Sequence, residues 1–103
     1  MELREERRSD RRFRICLPVV VKATTGRRVP AYTRDISSRG IGLYLLRPYP
    51  LGAALQFWVT FPSAITLSAP MRIKCEGRVV RVEENHLSAG IGAVIDSYEF
   101  LAD

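Results

Sequence analysis

Apolar and polar residues alternate through most of the chain after residue 14. Ile15, Leu17, Val19 and Val21 take one phase of a first run. Val29, Ala31 and Thr33 do so in a second, and Ile41, Leu43 and Leu45 in a third. Leu55, Phe57, Val59 and Phe61 alternate with Gln56, Trp58 and Thr60 in a fourth. In the fifth, Ile73, Cys75 and Val79 alternate with Arg72, Lys74, Glu76 and Arg78. Ile91, Ala93 and Ile95 form the sixth, with Gly90 and Gly92 on the other phase. A period of two is that of a half-buried strand. The fifth run slips phase at Val79-Val80, as a β-bulge or sharp bend would make it do.

The runs are separated by turn chemistry: Gly26-Arg27, Pro48 through Gly52, a loop bracketed by prolines at 62–70, and Glu84-Asn85-His86. Pro18 inside the first run predicts an edge position or a bulge. The tail, Ser97 to Asp103, is read as one helical turn. Six short strands without a long amphipathic helix predict an all-β fold, a six-stranded, largely antiparallel β-barrel. Residues 1–12 have no hydrophobic period and read as a flexible charged arm; residues 13–103 read as the barrel domain.

Composition agrees with a single small domain. The 103 residues are 47% hydrophobic and 26% charged, which is globular. No apolar run approaches the ~20 residues of a membrane helix. The first residues are too charged for a secretory signal, so the chain is expected in the cytoplasm, with Cys16 and Cys75 reduced and half-buried in strands. Two Cys and one His fall short of a four-ligand zinc site. With no paired carboxylates and no activated nucleophile, no catalytic residues, metal or cofactor are assigned, and an enzyme is not expected.

Charge is distributed unevenly around its net +5. Residues 1–14 contain six arginines, and residues 83–103 contain five acids and no Lys or Arg. Fourteen of the sixteen cations are arginine, whose planar fork suits phosphates and guanine edges better than the point charge of lysine.

Two segments do not read as scaffold: Arg8-Ser9-Asp10-Arg11-Arg12 before the first strand, and Asp35-Ile36-Ser37-Ser38-Arg39-Gly40 between the second and third. Their Arg-x-x-x-Arg and Asp-x-Ser-x-x-Gly patterns resemble the two signatures of the PilZ domain, a bacterial receptor module for cyclic di-GMP. Leu17-Pro18-Val19, Gly77-Arg78-Val79-Val80 and Gly90-Ile91-Gly92 extend the resemblance over about the whole chain. Arg7-x-x-x-Arg11 fits the first pattern as well. Arg8/Arg12 is preferred, because Arg12 then stands five residues before Leu17-Pro18-Val19, as in typical members.

The resemblance implies a cyclic di-GMP site made by Arg7, Arg8, Arg12, Asp35, Ser37 and Gly40. It also implies a partner protein, as yet unidentified, that senses a change in the arm. Family members with an arginine before the signature pair tend to bind two intercalated ligands, and Arg7 occupies that position. The chemistry suits the ligand. Arginine bonds guanine O6 and N7, stacks on purines and pairs with phosphate. A carboxylate such as Asp35 accepts from the guanine N1–H and N2–H₂ edge. Ser37 offers a small donor or acceptor, and Gly40 lets the backbone turn or approach. Two other readings stay open: a nucleotide-independent adaptor of the same fold, and a small basic barrel that binds single-stranded nucleic acid. The second is disfavoured because no strand is read as carrying an aromatic stacking pair.

Overall fold

The structure is a computed structural model that describes residues 11–23, 26–84 and 89–101. It contains strands β1 (Phe13–Arg14), β2 (Pro18–Ala23), β3 (Arg28–Ile36), β4 (Gly40–Leu45) and β5 (Ala54–Phe61). A helical turn α1 (Ser63–Thr66) then precedes β6 (Met71–Glu84) and β7 (Ala89–Leu101). All pairings are antiparallel. The order β3-β2-β5-β6-β7-β4 closes on itself through β3–β4, and β1 adds a short strand to β3. This is the predicted six-stranded barrel with one strand more. Closure leaves its central ladder without open edges.

The alternating phase fills the barrel. Val21, Leu43, Phe57, Val79 and Ile91 are fully buried at its centre. Each such side chain contributes about 1.5–3 kcal/mol relative to exposure. The buried Thr33 hydroxyl accepts from Leu17 N–H at 2.8 Å and donates to the Ile15 carbonyl. It thereby fixes the stretch between β1 and β2, and with it the place where the arm meets the barrel.

β4 and β7 depart from simple alternation. Gly40 to Leu43 and Ala89 to Ala93 are buried on both faces. Their outward positions are glycines, covered by long side chains from neighbouring strands, as described below.

Three register shifts bend the sheet, at Thr33/Asp35, Glu76/Gly77 and Val79/Arg81. The phase slip at Val79-Val80 marks the last of these. The Glu76/Gly77 shift depends on glycine, because a Cβ at position 77 would overlap the Val94 carbonyl. Beyond it, Met71–Glu76 lies between β5 and Ser97–Leu101, so the sheet continues there with three strands. Ile73, Tyr98 and Phe100 extend the apolar inner face there, beside Phe61, around a cleft of about 260 Å³. Among the described residues, no strand pairs with the outer edge of Ser97–Leu101.

Several expectations are corrected. The tail is strand through Leu101, not a helical turn. Tyr98 stands opposite Cys75 and Phe100 opposite Ile73, so cross-strand pairing with β6 outweighs local propensity. Pro18 lies on neither an edge nor a bulge. It opens the interior strand β2, and the ladder to β5 starts one residue later, at Val19; a first position is one that proline tolerates. The loop at 62–70 contains the helical turn α1, which ends on Leu67 in the left-handed conformation. Cys75 is buried, which pushes its thiol up to about 11, whereas Cys16 is exposed rather than half-buried. Most of the 84–86 turn, with His86, lies outside the described residues.

Aromatic residues do pair on the strands. Tyr98 and Phe100 meet edge to face, with centroids 5.9 Å apart. Tyr32 stands opposite Tyr44, and both are exposed. Trp58 faces outward with the Arg28 guanidinium 4.6 Å and the Lys74 ammonium 5.9 Å from its ring centroid, two cation–π contacts.

Candidate functional site

Consecutive strand residues ordinarily point to opposite faces. Arg34 and Asp35 do not. The register shift between Thr33 and Asp35 turns both outward, as a bulge does when it re-aims a side chain. Arg34 Nε donates to Asp35 Oδ2 at 2.9 Å, and Arg34 Nη1 donates to Glu83 Oε1 on β6 at 2.7 Å. The other Asp35 oxygen, Oδ1, accepts from Arg12 Nη1 at 2.7 Å. Arg12 reaches it because β1 pairs Phe13 with Ile36 and Arg14 with Asp35. Two residues 23 positions apart, one from each sequence motif, therefore meet in a single ion pair.

Asp35 is largely covered, with 13% of its side chain exposed. Burial alone would raise its carboxyl pKa. The hydrogen bond and charge of Arg34, with those of Arg12, outweigh that and hold it below the usual carboxylate value. Arg34 is shifted up, chiefly by its hydrogen bond to Asp35. Arg34 and Asp35 are thus both ionised throughout the neutral range.

The turn after β3 is built by Ser37. Its Oγ accepts from Gly40 N–H at 3.1 Å and from Arg39 N–H at 3.3 Å, and Ser37 N–H donates to the Gly40 carbonyl at 2.9 Å. The side chain is buried and holds the turn that sets Gly40. A Cβ on Gly40 would lie 3.0 Å from the Ala93 carbonyl oxygen and 3.3 Å from Arg12 Nη2. Glycine lets the arm's arginine lie close against β4.

Gly42 and Gly92 continue that floor. Asp35 stands opposite Gly42, Gly42 opposite Gly92, and Gly92 opposite Arg81. A Cβ on Gly42 would come within 2.8 Å of Arg34 Nη2, and one on Gly92 within 3.3 Å of Arg81 Nη2. The barrel's outer face thus carries a glycine-floored trough between Asp35 and Arg81. Beside it, Arg12, Arg39, Gly40, Val80, Arg81 and Gly92 line a groove of about 230 Å³.

Arg12, Asp35, Ser37 and Gly40 come together as the motifs suggest, whereas Arg7 and Arg8 lie outside the described residues. Arg34, Glu83, Arg81 and Gly42 were not singled out from sequence. A usable signal was present in the two Gly-Ile-Gly triplets, 40–42 and 90–92. They pair antiparallel and leave glycine on the outer face of both strands.

Residues 6–99 match the family model of the PilZ domain. The chain belongs to the PilZ family. PilZ domains are typically receptors for cyclic di-GMP, binding modules rather than enzymes. The inhibitor of motility from Bacillus subtilis, MotI/DgrA, has a similar solved structure, with a TM-score of 0.72 at 16% identity. The match covers 85% of this PilZ chain and 42% of that one, so the likeness is one of fold. No curated protein matches the chain in sequence. Among the described residues, no helix is long and apolar enough to cross a membrane.

Proposed function

We propose that this PilZ domain is a cyclic di-GMP receptor whose ligand engages Arg8, Arg12 and Asp35 and reorders the arm of residues 1–12. The observation that carries the reading is the Arg12–Asp35 ion pair at 2.7 Å. It joins the arm motif to the turn motif on an exposed face of a closed barrel. Asp35 accepts the guanine N1–H and N2–H₂ donors. Arg12, released in part from Asp35, pairs with guanine O6 and N7 or with phosphate. Ser37 and Gly40 hold the turn that presents Asp35. The exchange of an internal ion pair for ligand contacts converts binding into a change in the arm's position, which a protein partner reads. Arg7 supports an intercalated ligand dimer. The domain acts in the cytoplasm, where a nucleotide second messenger is found, and needs no metal or further cofactor.

Calorimetric titration with cyclic di-GMP, using GTP and cyclic GMP as controls, tests this. The expected result is selective, saturable binding near two nucleotides per chain. Arg8→Ala, Arg12→Ala and Asp35→Ala should each weaken it by about 1–3 kcal/mol while leaving the barrel folded. A stoichiometry near one would remove the ligand dimer. Absence of binding by the folded chain would remove the receptor and favour the adaptor. Tight RNA binding that weakens steeply with salt would favour a nucleic-acid module, for which exposed Tyr32 and Tyr44 offer a stacking surface.

A further inference from the structure

The trough has two chemically different ends. Asp35 occupies one and Arg81 the other, three strand spacings away through Gly42 and Gly92. At the usual interstrand distance this is a span of about 14 Å between backbones, and side chains reach inward from both sides. The Asp35 end is an anchored ion cluster. The groove at the Arg81 end is lined by three arginines and no carboxylate.

Two of these arginines, Arg81 and Arg39, are weakly held. Arg81 Nε lies 3.5 Å from Glu83 Oε2, long for a charge-assisted hydrogen bond. The other Glu83 oxygen is already engaged by Arg34 at 2.7 Å. The Arg39 guanidinium has no hydrogen-bond or ion-pair partner among the described residues, and its neighbour Arg12 is the arm residue tied to Asp35. Arg81 lies across Gly92, where any side chain would crowd it. Guanidiniums clustered in excess of the carboxylates beside them repel one another, and an anion placed between them relieves that repulsion.

We propose that Arg81 and Arg39 form a phosphate-binding end of this site, opposite the guanine-reading end at Asp35. The proposal rests on the cyclic di-GMP reading above and extends it to Arg81, outside both sequence motifs, and to Arg39, a variable position of the second. Electrostatics set the polarity. A phosphate is repelled by the Asp35 carboxylate and attracted by the arginine groove, while the N–H edge of guanine has the opposite preference. A cyclic dinucleotide carries both groups and can lie over the side chains that cover the glycines, with one group at each end.

The test compares Arg81→Ala, Arg81→Lys, Arg39→Ala and Asp35→Ala with the unsubstituted chain. Each is titrated with cyclic di-GMP and with cyclic di-AMP, which keeps the phosphates and lacks the guanine edge. Bound cyclic di-GMP is also followed by phosphorus NMR. Arg81 and Arg39 are exposed, and thermal melting verifies that their variants fold. The expected result for Arg81→Ala is a loss of about 10- to 100-fold in affinity, equal for the two nucleotides. A phosphorus resonance should move back toward its free position. Arg39→Ala should show the same pattern with a smaller loss, and Arg81→Lys should fall between wild type and Arg81→Ala. Asp35→Ala should instead narrow the preference for guanine over adenine. Wild-type affinity and phosphorus shift in Arg81→Ala would overturn the phosphate assignment while leaving the receptor intact. So would a changed base preference in that variant. Failure of the unsubstituted chain to bind cyclic di-GMP would overturn the receptor reading itself.

Discussion

The β6–β7 ribbon is one continuous pairing with two unlike halves. From Gly77 and Ile95 toward the hairpin, it forms part of the barrel wall. Its partner β4 covers the outer edge of β7, and its outward positions include Gly90, Gly92, Arg81 and the exposed Val80. From Met71 to Glu76 and Ser97 to Leu101, β5 instead covers the outer edge of β6, the outer edge of β7 has no partner strand among the described residues, and Ile73, Tyr98 and Phe100 lie on the inner face. The antiparallel β6–β7 ladder runs through both halves, so that ladder by itself does not make the site. What distinguishes the first half is the removal of side chains at Gly42 and Gly92, which leaves room for Arg34, Asp35 and Arg81 to lie flat on the sheet. The second half keeps large side chains on its inner face, and Lys74, Glu76 and Glu99 stand on its outer face with no glycine floor beneath them among the described residues.

The difference is sharpest where the halves join. Gly77→Ala should be the most damaging single change, because its Cβ overlaps the Val94 carbonyl, which is backbone and cannot swing away. A loss of more than about 3 kcal/mol is expected, read by denaturant melting; a loss below about 1 kcal/mol would show that the bend there is soft. Thr33→Val removes both hydrogen bonds that fix the stretch between β1 and β2 and leaves the Leu17 N–H unsatisfied. It should cost about 1–3 kcal/mol, and should also weaken nucleotide binding by loosening the arm's root.

Asp35→Asn probes the charged half alone. The folded pKa of Asp35 lies below its unfolded value, so its contribution is present at neutral pH and disappears as the pH falls through the folded pKa. The variant should be less stable than the unsubstituted chain by roughly 1 kcal/mol at pH 7, between the worth of a surface pair and that of a covered charged hydrogen bond. The two melting curves should converge in acid, below the usual carboxylate range. A difference that persists at about pH 2 would mean that Asp35 acts through packing rather than charge. Phe100→Ser, in the aromatic half, should change stability by no more than about 0.5 kcal/mol, because its ring is largely exposed. A loss of several kcal/mol would mean that this half belongs to the folding core.

Much of this was legible in the chain. Period-two alternation placed the six barrel strands, and the slip at Val79-Val80 located a bend. The arm and turn motifs indicated Arg12 and Asp35, and the structure places these residues in contact. What the sequence hid was governed by register. Arg34 and Asp35 share a face only because of a bulge, and Glu83 and Arg81 reach the site across two other strands. No local pattern encodes such a meeting. The tail was misread for a related reason: the strand form of Tyr98 and Phe100 is selected by Cys75 and Ile73 across the ladder, not by their neighbours in sequence.

The most direct test of the account is to map backbone amide shifts across the labelled chain as cyclic di-GMP is added. The account predicts that the large changes fall on Arg12, Asp35, Gly40, Gly42, Arg81 and Gly92, with Tyr98 and Phe100 unmoved. Changes concentrated on the aromatic half of the ribbon, or none at saturating nucleotide, would contradict it.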